Sequence, residues 1–271
     1  MEKIGFCLPG GGARGPYQVG VAKALRELGI LPRISVYSGA SIGAVNAAFL
    51  AADGYDRTEA VWLGMEEHEI RTAEGAFRRI IQENVRIWDK GIYDIGPLRK
   101  RLEEQLDFPE LRKKRVFVAV SRGGNERQNG PQPFFRSVFR HFVRKENHIE
   151  YWRLGPHSDR GIVELLIASC SIPVVFPPVT IDHQKYYDGG VYDNVPIRPL
   201  ARAGCDVVIV AHLHLFQSVD RKRYPSIRFV EIRHSGSLGG LLNFSPRRVE
   251  TLIEMGYRDA LEQLRKTPVG E

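Results

Sequence analysis

The first fifty-odd residues alternate short apolar runs with glycine-marked turns and helical patterns, and this alternation narrows the possible folds more than any other feature. Ile4 to Leu8 reads as a short buried strand, followed by Pro9 and the run Gly10-Gly11-Gly12-Ala13-Arg14-Gly15. A helix is expected from about Pro16 to Leu28: proline suits a first helical turn, and Gly29 suits the residue just past the end. Val21, Leu25 and Leu28 fall at helical spacing and would face a sheet. Ile34 to Ser38 is a second strand, and Gly39-Ala40-Ser41-Ile42-Gly43 then leads into an alanine-rich helix ending near Ala52. Strand–helix–strand–helix order is the pattern of an α/β protein with a parallel sheet and crossover helices.

Further along, residues 57–114 look helical and amphipathic, an insertion covering one face of the sheet within a single domain of residues 1–271. Arg115 to Val120 returns to a strand, and Gly123 to Pro133 is polar and reads as a loop. A strand is expected over 149–154, a buried helix over 161–169, and late strands over 206–211 and 227–232. The final helix is expected to begin at Ser245-Pro246, with the serine as cap, and carries Val249, Leu252, Ile253, Gly256, Ala260 and Leu264 on one stripe.

Two glycine-rich turns carry the chemistry. In residues 10–15 the glycines leave backbone N–H groups uncovered beside a helix N-terminus, so Gly10, Gly11 and Gly12 can hold an anion or an oxyanion. Gly10-x-Gly12-x-x-Gly15 also matches the dinucleotide fingerprint, but the second strand ends without the carboxylate that reading requires. The second turn, Gly39-x-Ser41-x-Gly43, has the form of a nucleophile elbow, where small neighbours allow a sharp strand-to-helix turn. The plain alternative is a serine that only caps its helix. A serine nucleophile needs a base. The candidates are a histidine (His212, His214 or His234) or the carboxylate of Asp188, in Asp188-Gly189-Gly190.

The glycine loop with its arginine, the Ser41 turn, and Asp188-Gly189-Gly190 stand in the order and spacing of patatin-like phospholipases, which this chain resembles. Ala168-Ser169-Cys170-Ser171-Ile172-Pro173, Phe176-Pro177-Pro178 and Asn194-Val195-Pro196 are similar to that family as well. Two departures stand out: residues 123–147 show no clear family pattern, and Pro9 occupies a position where an aspartate is common. The resemblance implies a three-layer α/β/α sandwich with a mainly parallel sheet. It also implies hydrolysis of carboxylic esters of lipids, of phospholipase A or lysophospholipase type, by a Ser41–Asp188 dyad with no histidine in the reaction. Gly10, Gly11 and Gly12 would form the oxyanion hole, with Arg14, Gly15, Gly39, Gly43, Gly189 and Gly190 supporting the turns. No metal or organic cofactor is needed for that chemistry. A catalytically silent lipid-binding or regulatory protein on the same fold is the alternative.

Charge and cysteine content bear on partners. A net charge of +7 favours anionic surfaces, but no nucleic-acid-binding module accompanies it, so a lipid ester substrate is expected and nucleic acid is not. Residues 134–145 form a basic amphipathic stretch: Phe135, Val138, Phe139, Phe142 and Val143 share a helical face apart from Arg136, Arg140 and Arg144. Such a helix can lie in a membrane interface, or serve as a lid with a solvated basic face. His212-x-His214 lacks a third ligand in reach for a metal. Arg14 would either steer an anionic substrate or hold neighbouring backbone. Cys7, Cys170 and Cys205 form no CxxC pair, and the first residues lack a secretory pattern; both fit a cytoplasmic protein, peripheral at the membrane if the basic stretch docks there.

Overall fold

The computed structural model describes residues 2–65, 95–125, 148–173, 175–241, 243, 245–267 and 269. Strand β1 (Ile4–Leu8) is buried at every position and runs into the glycine loop. Helix α1 (Pro16–Glu27) starts on its proline, and Gly29, at φ 67, turns the chain back beyond it. Strand β2 (Ile34–Ala40) ends directly before Ser41, and helix α2 (Ile42–Ala52) begins directly after it. Helices α3 (Gly54–Leu63), α4 (Gly96–Gln105) and α5 (Phe108–Arg112) occupy the described part of the expected insertion, which contains no strand among the described residues. Strand β3 (Arg115–Asn125) is longer than its apolar run suggests and continues through residues expected to form a loop.

Strand β4 (Ile149–Arg153) and helix α6 (Asp159–Cys170) follow. This helix starts two residues earlier than its apolar pattern implied, because the Ser158 side chain accepts from Gly161 N–H at 3.2 Å and caps it. Strands β5 (Val179–Ile181) and β6 (Gln184–Asp188) form a hairpin, then come helix α7 (Arg198–Arg202), strands β7 (Val207–Ala211) and β8 (Arg228–Ile232), and helix α8 (Pro246–Lys266). Ser245 precedes α8 as expected, but its side chain makes no capping hydrogen bond.

The sheet order is β5-β6-β3-β2-β1-β7-β8, with β4 also paired to β3. Pairings β1–β2, β1–β7, β2–β3 and β7–β8 are parallel, and the three involving β4, β5 and β6 are antiparallel. Alternation along the central strands feeds two cores. Ile4, Phe6, Leu8, Val207, Ile209 and Ala211 enter the larger core, which includes residues of α1, α2, α3, α6 and α8. Cys7, Val208 and Val210 enter a smaller one with Leu200 of α7, Cys205 and Phe229. Helices therefore dominate one face, and among the described residues the other is closed mainly by α7 and irregular segments. At about 1.5–3 kcal/mol for each fully buried aliphatic or aromatic side chain, the larger core dominates the folding energy.

Helices α1 and α8 meet backbone to backbone. A Cβ added at Gly20 would overlap the Ile253 carbonyl oxygen, and one added at Gly256 would overlap that of Tyr17. The same interface holds a buried hydrogen bond from Tyr17 Oη to Asp259 Oδ2 at 3.1 Å. The last helix is thus fastened to the helix that follows the glycine loop.

Candidate active site

Sheet register brings the two central candidates together. Ala40, the residue before Ser41, pairs with Ala119, while Asp188 pairs with Val120, the next residue of β3. Two segments separated by well over a hundred residues thus end beside consecutive residues of one strand. The Ser41 hydroxyl is close enough to the Asp188 carboxylate to lower its pKa. Both residues are buried, at 6% and 4% exposure, so the pair is sheltered from bulk water.

Ser41 occupies a conformation that side-chain-bearing residues rarely adopt, with φ 53 and ψ −133. Its backbone N–H donates to Ser169 Oγ at 2.9 Å, and Ser169 Oγ donates to the Ala119 carbonyl at 2.8 Å. Ser41 makes no side-chain capping bond to α2, so its hydroxyl is not used as a cap. Gly39 and Gly43 leave room for the turn: a Cβ on Gly39 would overlap the Gly43 carbonyl oxygen, and one on Gly43 would overlap the Leu8 carbonyl oxygen.

Asp188 closes β6. Its Oδ1 accepts from Gly190 N–H at 2.7 Å, and Ser121 Oγ donates to its backbone carbonyl at 2.8 Å. Gly189 lies so close to Ala119 that any side chain would strike the Ala119 carbonyl. Burial raises the Asp188 carboxyl from its ordinary 3.8 to about 7, against the lowering effect of the hydrogen bonds from Ser41 and Gly190 N–H. Burial pushes the pKa of the Cys170 thiol, at the end of α6, well up, the Asp188 charge adds to that shift, and the Ser41 hydroxyl works against it.

The glycine loop sits against this pair. Gly10 packs on Ser41, since an added Cβ would lie 2.9 Å from Ser41 Cβ. Its N–H is already engaged by Asn194 Oδ1 at 3.0 Å. Ala13 N–H donates to the Leu241 carbonyl at 2.7 Å, and Arg14 N–H to the Gly11 carbonyl at 3.2 Å. Gly11 and Gly12 N–H have no acceptor among the described residues. Gly12, at φ 54, faces the Leu241 carbonyl, and Gly15 packs against Trp62 and Ile42.

Several residues that sequence reasoning passed over hold this loop. Trp62 Nε1 donates to Asn46 Oδ1 at 2.8 Å, and Asn46 Nδ2 donates to Gln18 Oε1 at 2.9 Å and to the Gly15 carbonyl at 3.0 Å. Gln18 Nε2 continues the chain to the Pro9 carbonyl at 2.8 Å and the Ala211 carbonyl at 3.3 Å. Gln18 and Asn46 were visible as polar residues within otherwise apolar helical stretches. Arg14 holds backbone: its Nε donates to the Gly239 carbonyl at 2.8 Å and its guanidinium to the Leu213 carbonyl at 3.1 Å, with His214 Nδ1 also at 3.1 Å.

The histidines are occupied elsewhere. His212 Nε2 lies 2.9 Å from Glu231 Oε2, and His234 Nδ1 lies 2.5 Å from the Gly236 carbonyl. Among the described residues none of the three has a hydrogen bond to Ser41. The basic stretch 134–145 lies outside the described residues.

The lysophospholipase NTE1 of Kluyveromyces lactis is 24% identical over 291 residues, covering 98% of this chain and 17% of NTE1. NTE1 of Coccidioides immitis is 26% identical over 221 residues, covering 76% of this chain and 11% of its own length. The chain therefore spans less than a fifth of either relative. Among solved structures, VipD from Legionella pneumophila aligns with TM-score 0.51 at 16% identity, over 98% of this chain and 67% of VipD. Human GIVD cytosolic phospholipase A2 aligns with TM-score 0.51 at 12% identity, over 97% of this chain and 60% of that one. Both structures share the fold. The family model described as patatin-like phospholipase matches residues 6–201, well over half of the 271 residues, and the chain belongs to that family.

Proposed function

We propose that this chain is a serine acyl-hydrolase acting on carboxylic esters of lipids, phospholipids or lysophospholipids, with Ser41 as nucleophile and Asp188 as its direct base. The observation that carries the reading is the meeting of Ser41 and Asp188 beside consecutive residues of β3, both buried, where burial raises the Asp188 carboxyl to about 7. A base of that strength is half-deprotonated near neutrality, where general-base catalysis is most effective.

In the forward reaction, Ser41 Oγ attacks the ester carbonyl carbon as its proton passes to Asp188. The carbonyl oxygen becomes an oxyanion facing the free N–H groups of Gly11 and Gly12. Gly10, whose N–H is held by Asn194, shapes the loop and leaves the oxyanion to its two neighbours. Collapse expels the alcohol, which takes the proton from Asp188 and leaves an acyl-serine. Asp188 then accepts a proton from water as the water attacks that acyl group. The tetrahedral intermediate releases the carboxylic acid, and the proton returns to Ser41 Oγ.

The substrate class rests on the family and on the NTE1 relatives, which are named lysophospholipases. Hydrolysis of p-nitrophenyl esters and of lysophospholipid tests it, with the wild type beside Ser41→Ala and Asp188→Asn. The expected result is turnover in the wild type, a loss of about 10³-fold or more for Ser41→Ala, and about 10²–10⁴-fold for Asp188→Asn. Retained activity in Ser41→Ala would overturn the reading. No turnover by the wild type on any ester would favour the catalytically silent alternative. A His214→Ala protein that loses its nucleophile's reactivity would restore the histidine-based mechanism.

A further inference from the structure

Two loops brace the glycine loop, and both carry exposed apolar side chains. After β7, Leu213 packs on Gly11, and the chain then presents Leu215 at 50% exposure and Phe216 at 100%. After β8, the Leu241 carbonyl accepts from Ala13 N–H while its side chain is 42% exposed. Arg14 ties the loops together through the Leu213 and Gly239 carbonyls. Gln217, next to Phe216, lies 3.3 Å from the Asn194 amide that grips Gly10. The exposed tips therefore stand on the backbone that frames the candidate oxyanion donors.

Charge along the segments that carry these tips is one-sided. Residues 214–248 contain seven Lys or Arg side chains against only Asp220 and Glu231. Glu231 is itself engaged by Arg221 at 2.8 Å, Arg233 at 2.6 Å and His212 at 2.9 Å. Arg221, Lys222 and Arg223 directly follow the Phe216 loop and are exposed.

We propose that the Leu215-Phe216 and Leu241 tips form a docking surface for an anionic lipid bilayer, inserting their side chains among acyl chains while Lys222 and Arg223 meet headgroup phosphates. A fully exposed phenylalanine has nothing to pack against in water, and burying it is favourable. A stable protein interface needs about 800 Å² of complementary surface on each partner. Three exposed side chains offer far less than that area, whereas a fluid acyl phase can close around each tip separately. Basic side chains beside inserted aromatics are the usual make-up of an interfacial contact. The identity of the partner rests on the lipid-ester reading, in which the substrate resides in a bilayer.

The test is partition onto vesicles of phosphatidylglycerol and phosphatidylcholine, compared with phosphatidylcholine alone, measured by co-sedimentation. The Ser41→Ala protein should bind as the wild type does, which separates docking from catalysis. The Leu215→Ser/Phe216→Ser double variant should lose about tenfold or more in partition. It should keep the wild-type thermal midpoint and its hydrolysis of water-soluble esters. Phe216→Trp should bind normally and shift its emission to the blue on vesicles. Lys222→Glu should weaken binding to anionic vesicles, an effect that salt reduces. The proposal is overturned if the wild type binds neither vesicle, if the double variant partitions as the wild type does, or if the double variant instead dissolves a dimer seen by size exclusion. Failure of ester hydrolysis with Phe216-dependent binding intact would refute the catalytic reading and leave the docking surface standing.

Discussion

Asn194 grips Gly10 at both polar groups of its backbone: its Oδ1 accepts from the Gly10 N–H at 3.0 Å, and its Nδ2 donates to the Gly10 carbonyl at 3.1 Å. One side chain thus replaces the strand neighbour that the glycine loop lacks. Asn194→Ala should release the loop and lower kcat by about 10²-fold through misplacement of the oxyanion donors, with KM nearly unchanged. Asn194→Asp should not rescue the loss, because a carboxylate cannot donate to the Gly10 carbonyl and adds a charge beside Gly190, the residue bonded to Asp188. Steady-state kinetics on a soluble ester, with circular dichroism to check folding, would decide this. A KM effect with kcat intact would contradict a positioning role.

The raised pKa of Asp188 sets two pH dependences of opposite sense. With Asp188 as the proposed base, activity requires the carboxylate, so kcat/KM should rise with pH and level off above an acid limb near 7, far from the ordinary carboxylate value. Stability should move the other way. Between about 4 and about 7 the folded protein holds this proton more tightly than the unfolded chain does, so this group's contribution falls as pH rises through that window and is constant above it. The neutral Asp188→Asn protein escapes the penalty. It should be inactive yet more stable than the wild type at pH 8, by about 2–4 kcal/mol. Urea unfolding at pH 5 and pH 8 measures the difference, which should shrink at the lower pH.

Ser41 stores backbone strain that a glycine would relieve. Both Ser41→Ala and Ser41→Gly remove the proposed nucleophile, but only glycine accepts φ 53 with ψ −133 without steric cost. The Gly variant should be the more stable of the two by about 1 kcal/mol, despite the general penalty of glycine for chain entropy. Equal midpoints in chemical denaturation would argue that the turn is unstrained.

Gly256→Ala tests the crossing of α1 and α8. The new methyl would overlap the Tyr17 carbonyl oxygen, and the helices must separate to admit it. A loss of about 1–3 kcal/mol is expected, against a near-zero change for Ala substitution at exposed Arg247 of the same helix.

Much of the fold was legible because its signals are local. Ile4–Leu8 before glycines, Pro16 at a helix start and Ser41 between a β-rich run and alanines each carry their meaning within a few residues. The β5–β6 hairpin escaped because its turn is Asp182-His183, at φ 48 and 63, where a left-handed turn normally displays asparagine and glycine. Its second strand, Gln-Lys-Tyr-Tyr-Asp, alternates between buried and half-buried and so lacks a continuous apolar run. At the site, Ser41 and Asp188 stood out as candidates from their motifs, and Ser169 and Asn194 lay in family-like runs, but what those two contact was not readable. Ser169 meets the Ser41 backbone across 128 residues, and Asn194 meets Gly10 across 184. No spacing rule reaches that far. Such contacts follow from which strand ends lie together, which only the assembled sheet determines.

The position of β7 beside β1 has a practical consequence for anyone isolating the matched segment. Residues 6–201 stop before β7 and β8, which lie beyond β1 in the sheet, and before α8, which packs on α1. A fragment ending there would expose the β1 edge that pairs with β7, on the strand that carries the glycine loop, together with the apolar side chains that α8 covers. Bare edges of that kind recruit strands from other copies. Such a fragment is expected to enter inclusion bodies, and expression of this enzyme candidate should retain the chain through Lys266.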